Sequence, residues 1–256
     1  MDPNSNEAIR RRLNAGTLTW GAPTLMLFAR AVFAVGAQGL VAGIFALRSS
    51  PTPWHDAEPW LPVYGTVIDA GCLALLWRLT RREGIRLFDL VGFERTRLRR
   101  DVLLGLALIP ACLVFILGGV YGTGWLLYGT LTPPFLFGRL PLPAALYGVL
   151  VFPFVWGLTE QMTYNGYVLP RVQVLCRSTS LAMVIVAFEW SLQHSFMPLT
   201  FDAKYMVFRF LSSVPNSLFQ TFFYLRLRRL IPLAISHAVM DGASVVIGVL
   251  LPLLRA

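Results

Sequence analysis

Long apolar runs separated by short polar turns set the rhythm of this chain. A hydrocarbon core about 30 Å thick asks roughly 20 apolar residues of each helix that crosses it. On that measure the pattern predicts about seven spans, or eight if a short or broken helix hides in the fourth or last run. Their approximate limits are 30–47, 60–77, 102–127, 142–172, 181–198, 206–225 and 230–254. Residues 1–19 read as a polar tail, and 20–29, amphipathic at best, are expected on the membrane surface before the first span. The Pro-rich stretch 132–143 reads as a loop leading into the fourth span. The expected fold class is therefore an all-α, polytopic transmembrane helix bundle. Residues 20–256 form its single domain, since no internal repeat, low-complexity tract or linker interrupts them.

Composition agrees. The 256 residues are 56% hydrophobic and only 14% charged, with a mean hydropathy of +0.63, too apolar for an ordinary soluble domain. A net charge of +9 would suit nucleic acid, but no nucleic-acid motif is present. The basic residues instead sit in turns between apolar runs. Between Arg78 and Asp101 there are eight Arg against four acids, and Arg226, Arg228 and Arg229 form a second basic turn. Arg171 and Arg177 flank a third, whereas the turns near 48–59, 128–141 and 199–205 carry few positive charges. That bias predicts a cytoplasmic N-terminus, with the Arg-rich loops against anionic lipid headgroups. The expected location is the plasma membrane of a bacterium or archaeon.

Cys72, Cys112 and Cys176 stand singly among apolar neighbours, as small buried hydrophobes do. The polar groups inside the apolar runs are more informative, because a charge at mid-bilayer costs about 2.5–3.5 kcal/mol on insertion scales and normally faces the bundle interior. Glu160 and Gln161 lie in the fourth run, Glu189, Gln193 and His194 in the fifth, and His237 and Asp241 in the seventh. His237 and Asp241 are four apart and share a helix face, as do Trp190 and His194. At about 1.5 Å per residue, Glu160 and His194 sit roughly 20 Å from one end of their helices and His237 roughly 10 Å. A glutamate that takes a proton from water, with imidazoles that orient it or stabilise an oxyanion, is what hydrolysis inside a membrane requires. Arg30 and Asp69, in the first two runs, read as a structural pair, and Glu189 either as a bonding partner of Gln193, four residues on, or as a group facing a polar cavity.

Three segments resemble one family. Glu160-Gln-Met-Thr-Tyr-Asn-Gly-Tyr167 resembles the EExxxRG(Y) motif of the CAAX-protease and bacteriocin-processing intramembrane proteases. Phe188-Glu-Trp-Ser-Leu-Gln-His194 resembles their aromatic-xxx-His motif, with Trp190 as the aromatic. Ile235-Ser-His-Ala-Val-Met-Asp241 resembles the closing HxxxN or HxxxD. Order, spacing and span placement agree over about residues 145–250. The resemblance implies an endopeptidase acting on a membrane-anchored or hydrophobic-tailed protein, with a CAAX-type end or a C-terminal tail as its substrate. By position Glu160 resembles the general base, His194 the residue that orients water, and His237 with Asp241 the oxyanion-stabilising pair.

Two positions depart from the pattern. The family's second Glu is Gln161 and its Arg is Asn165, so a pair four apart has become neutral. That change either preserves the geometry without charge or marks a non-catalytic relative that binds a membrane partner. A small transporter or lipid-modifying enzyme is a third class, without the inverted repeat or paired broken helices a transporter would show. No cofactor is expected. The zinc motif HExxH is absent, and metal and metal-free glutamate mechanisms both stay open.

Overall fold

The computed structural model describes residues 3–131, 138 and 140–254, with Pro252 as backbone only. These residues form helices and connecting turns without a strand. The N-terminal helix α1 (Asn6–Asn14) is capped by Ser5, whose side chain accepts from the Ala8 N–H. Although α1 lies in the expected polar tail, it is docked. Ile9 and Leu18 bury against Val174, and Arg12 Nε lies 3.1 Å from Glu83 Oε2.

The helix α2 (Gly21–Leu47) is one unbroken element of 27 residues. Residues 20–29, expected as a separate surface segment, are its first turns instead. Pro23 falls in the first turn, where its missing N–H costs nothing, and no breaker follows. A short α3 (Pro53–Ala57) and a 3₁₀ turn (Glu58–Trp60) lead into α4 (Leu61–Arg82). After the Arg-rich loop comes α5 (Leu98–Tyr128), which closes on Gly129 in the left-handed region at φ 68°.

The fourth apolar run breaks. Between α6 (Leu142–Leu150) and α7 (Phe152–Gln161) Val151 leaves helical geometry (φ −119°, ψ −53°), and the axis bends by 43°. Pro153 explains the break, having no N–H and clashing with the carbonyl four residues earlier. The run then widens into a π-helix (Met162–Val168) and returns to α-helix in α8 (Leu169–Cys176). Next come α9 (Thr179–Leu192), capped by Ser178, and a 3₁₀ turn (Gln193–Phe196). Asp202 caps α10 (Ala203–Leu227). The chain ends in α11 (Ile231–Val245), a π turn (Val246–Leu250) and α12 (Leu251–Leu254). Most of the loop expected at 132–143 lies outside the described residues.

By length and apolar composition, four of the described helical segments can cross a membrane: 21–47, 53–82, 87–128 and 231–250. The bent pair 142–150 and 152–176 makes five if it is one span. Two of the seven expected runs fall short of this measure for different reasons. α9 has 14 residues, about 21 Å, against a 30 Å core. α10 is long enough with 25 residues, but one of its faces carries Arg209, Ser212, Ser213, Asn216 and Ser217.

In the bundle α5 packs against α10 and α11, α11 against α7, and α2 against α4. Two glycines set the closest approaches. A Cβ at Gly119 would collide with the Ser212 carbonyl, so α5 and α10 touch backbone to backbone. A Cβ at Gly157 would lie 3.1 Å from the Ala238 N. That contact brings α7 onto α11 one turn below Glu160 and beside His237.

Candidate active site

Two of the three motifs reach the bundle interior where their helices change geometry, and the third lies on regular α-helix. Glu160 and Gln161 end α7, where the π-helix begins, and all of residues 162–168 are buried. A π turn places an extra residue in each turn, which explains how a short segment buries Tyr164, Asn165 and Tyr167 together. Trp190 stands near the end of α9. Past Leu192 the helix tightens into the 3₁₀ turn that carries Gln193 and His194. His237 and Asp241 lie one turn apart on α11.

Glu160 has no solvent exposure. Its Oε2 accepts from Trp190 Nε1 at 2.9 Å and its Oε1 from Gln193 Nε2 at 2.8 Å. Arg30 Nη2 stands 3.4 Å from Oε1. An isolated buried carboxylate would be prohibitively costly, and these two N–H donors and one cation compensate it. Arg30 is itself fully buried, lies over the Trp156 ring at 4.3 Å and donates to Asp69 at 2.8 Å. The Arg30–Asp69 pair read from the sequence therefore exists, but the guanidinium also serves Glu160, which the sequence reading did not foresee.

Gln193 ties these groups together. Its Oε1 accepts from Tyr164 Oη at 2.9 Å and from Arg30 Nε at 3.1 Å, while its Nε2 donates to Glu160. The bond expected between Gln193 and Glu189 is absent, and Glu189 has no side-chain hydrogen bond or ion pair among the described residues. Tyr164 stacks on Trp190 with 5.1 Å between centroids, which fixes the indole that faces Glu160.

His237 Nε2 lies 3.5 Å from both Glu160 Oε2 and Asp241 Oδ2. On its other side Gln161 Nε2 is 3.3 Å from Nδ1. An amide N–H can only donate, so Nδ1 accepts and the proton of a neutral imidazole sits on Nε2, towards Glu160 and Asp241. The altered pair is in contact, with Asn165 Nδ2 donating to Gln161 Oε1 at 2.8 Å. Gln161 also donates to Gln220 Oε1 at 3.1 Å, and Gln220 donates to Cys112 Sγ at 3.5 Å. A chain of neutral amides thus runs where the resembled family has an ion pair.

His194 and His237 line one cavity of about 160 Å³, together with Trp190, Arg209 and Asp241. Glu160 lies behind that wall, in contact with Trp190 and His237. The His194 side chain makes no hydrogen bond among the described residues. Asp241 Oδ2 is buried and has no hydrogen-bond partner among them.

A metal fits this arrangement poorly. Among the described residues no three His, Cys, Asp or Glu side chains are placed to hold one. A cation on Glu160 would also meet the Arg30 guanidinium, whose Nη2 stands 3.4 Å from Oε1.

Sequence reading singled out Glu160, Gln161, Asn165, Trp190, His194, His237 and Asp241, and all of them lie in or against this one region. Arg30, Tyr164, Gln193, Gln220 and Arg209 belong to it as well. Their only signal in the sequence was polarity at mid-run.

No curated protein and no solved structure matches the chain. Its apolar helices make it an integral membrane protein, and the family comparison supports a function of the CAAX-type intramembrane protease kind. Residues 142–243, which carry all three motifs, match the family model described as type II CAAX prenyl endopeptidase Rce1-like, in line with the family that the motifs resemble.

Proposed function

We propose that this chain is an intramembrane endopeptidase that cuts a peptide bond near the C-terminal end of a membrane-associated protein. The observation that carries the reading is Glu160: a wholly buried carboxylate, held by Trp190 and Gln193 and touching a histidine that lines a cavity. In this reading the substrate's carbonyl enters the cavity between His194 and His237. Each carboxylate oxygen of Glu160 has spent one lone pair on an N–H and keeps another for water. Glu160 takes a proton from that water as its oxygen adds to the carbonyl carbon, and His194 holds the water in line. His237, with its proton on Nε2, donates to the oxyanion, and the Gln161 N–H holds the imidazole through Nδ1 while Asp241 flanks the reacting edge of the ring. Collapse of the tetrahedral intermediate breaks the C–N bond, and the proton on Glu160 goes to the leaving amine. The Arg-rich loops meet anionic headgroups and hold the bundle at the depth where its substrate is anchored.

The neutral amide chain through Gln161 and Asn165 favours a second reading, a relative that keeps the cavity and binds a membrane partner without cutting it. One experiment separates the two. Protein in lipid nanodiscs is incubated with prenylated peptides bearing a CAAX-type end, alongside Glu160→Gln. Loss of a general base costs about 100- to 10,000-fold, so the variant should retain about one per cent of the rate or less. Binding without cleavage in both proteins would leave the partner-binding reading.

A further inference from the structure

The groups that act on the scissile bond occupy one side of the cavity, and the face of α10 that lines the other side has no assigned role. Arg209, Ser212, Ser213, Asn216 and Ser217 all line the cavity. They recur at i, i+3, i+4, i+7 and i+8, a single helical face. The hydroxyls of Ser212 and Ser213 bond back to the Arg209 carbonyl, so the unmet polar atoms on this face belong to Arg209 and Asn216.

Arg209 is the exceptional member. Its guanidinium donates to the Met197 carbonyl at 3.2 Å through Nη2. Its Nε is buried without a hydrogen-bond partner, and no carboxylate lies within ion-pair distance, among the described residues. Arg30 and Arg171, wholly buried where Arg209 is half-buried, each have a carboxylate at 2.8 Å or closer. Asn216 Oδ1, on the same face, is also buried and unpaired. Buried polar atoms are nearly always paired in a finished structure, so orphans that share a cavity mark the place of an absent ligand. The missing partner of Arg209 is an anion, and a guanidinium fork fits a carboxylate through two parallel N–H bonds.

The position of Arg209 narrows the choice. Arg209 lines the same cavity as His194, His237 and Asp241, so one occupant can reach Arg209 and the reacting groups together. From Arg209 to Asn216 the helix rises about 10 Å. Three residues of extended peptide cover about 10 Å as well. We propose that Arg209 binds the free α-carboxylate at the substrate's C-terminus, so that the α10 face measures the short peptide released by cleavage. This rests on the peptidase reading and names the substrate feature that the site selects.

Binding is tested apart from turnover, with the Glu160→Gln protein in neutral-lipid nanodiscs. The probes are two fluorescent prenylated tetrapeptides that differ only in a free C-terminal carboxylate or a carboxamide. The free acid should bind about 10- to 100-fold more tightly, the range a charged hydrogen-bond pair supports. Adding Arg209→Gln should bring acid affinity down to that of the amide and leave amide affinity unchanged, while Arg209→Lys keeps part of the preference. Equal affinity for acid and amide in the Arg209 protein overturns the proposal. So does an equal fall in both affinities on Arg209→Gln, which is what a merely structural arginine gives. Cleavage is measured separately with Glu160 intact. Acid-selective binding without cleavage would sink the peptidase reading and leave the carboxylate subsite standing.

Discussion

Arg30 reaches Glu160 and Asp69 with the same guanidinium, Nη2 at 3.4 Å from Glu160 Oε1 and Nη1 at 2.8 Å from Asp69 Oδ1. One cation from α2 therefore balances two buried carboxylates from α4 and α7. Arg30→Met should cost about 3–5 kcal/mol, because removing one partner of a buried charge group strands the others. Arg30→Met with Asp69→Asn removes one stranded charge and should recover part of that loss. Thermal unfolding in detergent checks this, and a double variant no more stable than the single would contradict it.

Gln161 and Asn165 give a second prediction. The Gln161 amide donates to Gln220 and to His237 Nδ1, and accepts from Asn165. Gln161→Glu removes the donor and adds a buried charge. With Asn165→Arg beside it the charge gains a partner one turn away. The double variant should melt above the single and keep more of any peptidase rate. If the two variants melt together, the amide chain is not what replaces an ion pair in this protein.

The sequence reveals these motifs well because their order and helical spacing are local properties. It conceals what holds them. Arg30 was legible as a buried cation, but its bond to Glu160 joins segments far apart in sequence, which no periodicity reports. Gln193 misled for a different reason. Helix geometry does set it one turn past Glu189, whose carbonyl accepts from the Gln193 N–H, but the Glu160 carboxylate offers its side-chain amide a buried anion. The side chain turns inward to Glu160. The break at Val151 was foreshadowed by Pro153, whereas the π-helix over 162–168 has no comparable signal in the residues themselves.

The N-terminal segment supplies a third prediction. Arg171 is fully buried, with Nη2 at 2.7 Å from Glu83 Oε2 and Nη1 at 3.0 Å from Asn4 Oδ1. Asn4 Nδ2 donates to the Gly166 carbonyl at 2.7 Å, within the π-helix of the first motif. Glu83→Gln should destabilise by about 3–5 kcal/mol, since it leaves the Arg171 charge buried without its anion. Deleting residues 1–14 removes Asn4 and Arg12 but keeps the Glu83–Arg171 pair, so its effect should be smaller. Hydrogen exchange in that truncation should rise first over 162–168. Unchanged protection there would show that the docked N-terminus does not support the motif.

The fourth prediction concerns the division of labour between Glu160 and His237. An oxyanion donor acts mainly in the transition state, so His237→Ala should lower kcat and kcat/KM together and leave KM nearly unchanged. Losing one such donor elsewhere costs about 100- to 1,000-fold. Gln193→Leu should behave differently. It removes one hydrogen bond each from Glu160, Tyr164 and Arg30, so it should lower stability and rate together. Chelators should leave the rate unchanged if water is activated by the carboxylate alone. Activity lost with EDTA and restored by zinc would assign the Glu160–His237–Asp241 cluster to a metal, and Glu160 would then be a ligand rather than an unaided base. A His237→Ala variant that raised KM at constant kcat would likewise move His237 from the transition state to substrate binding.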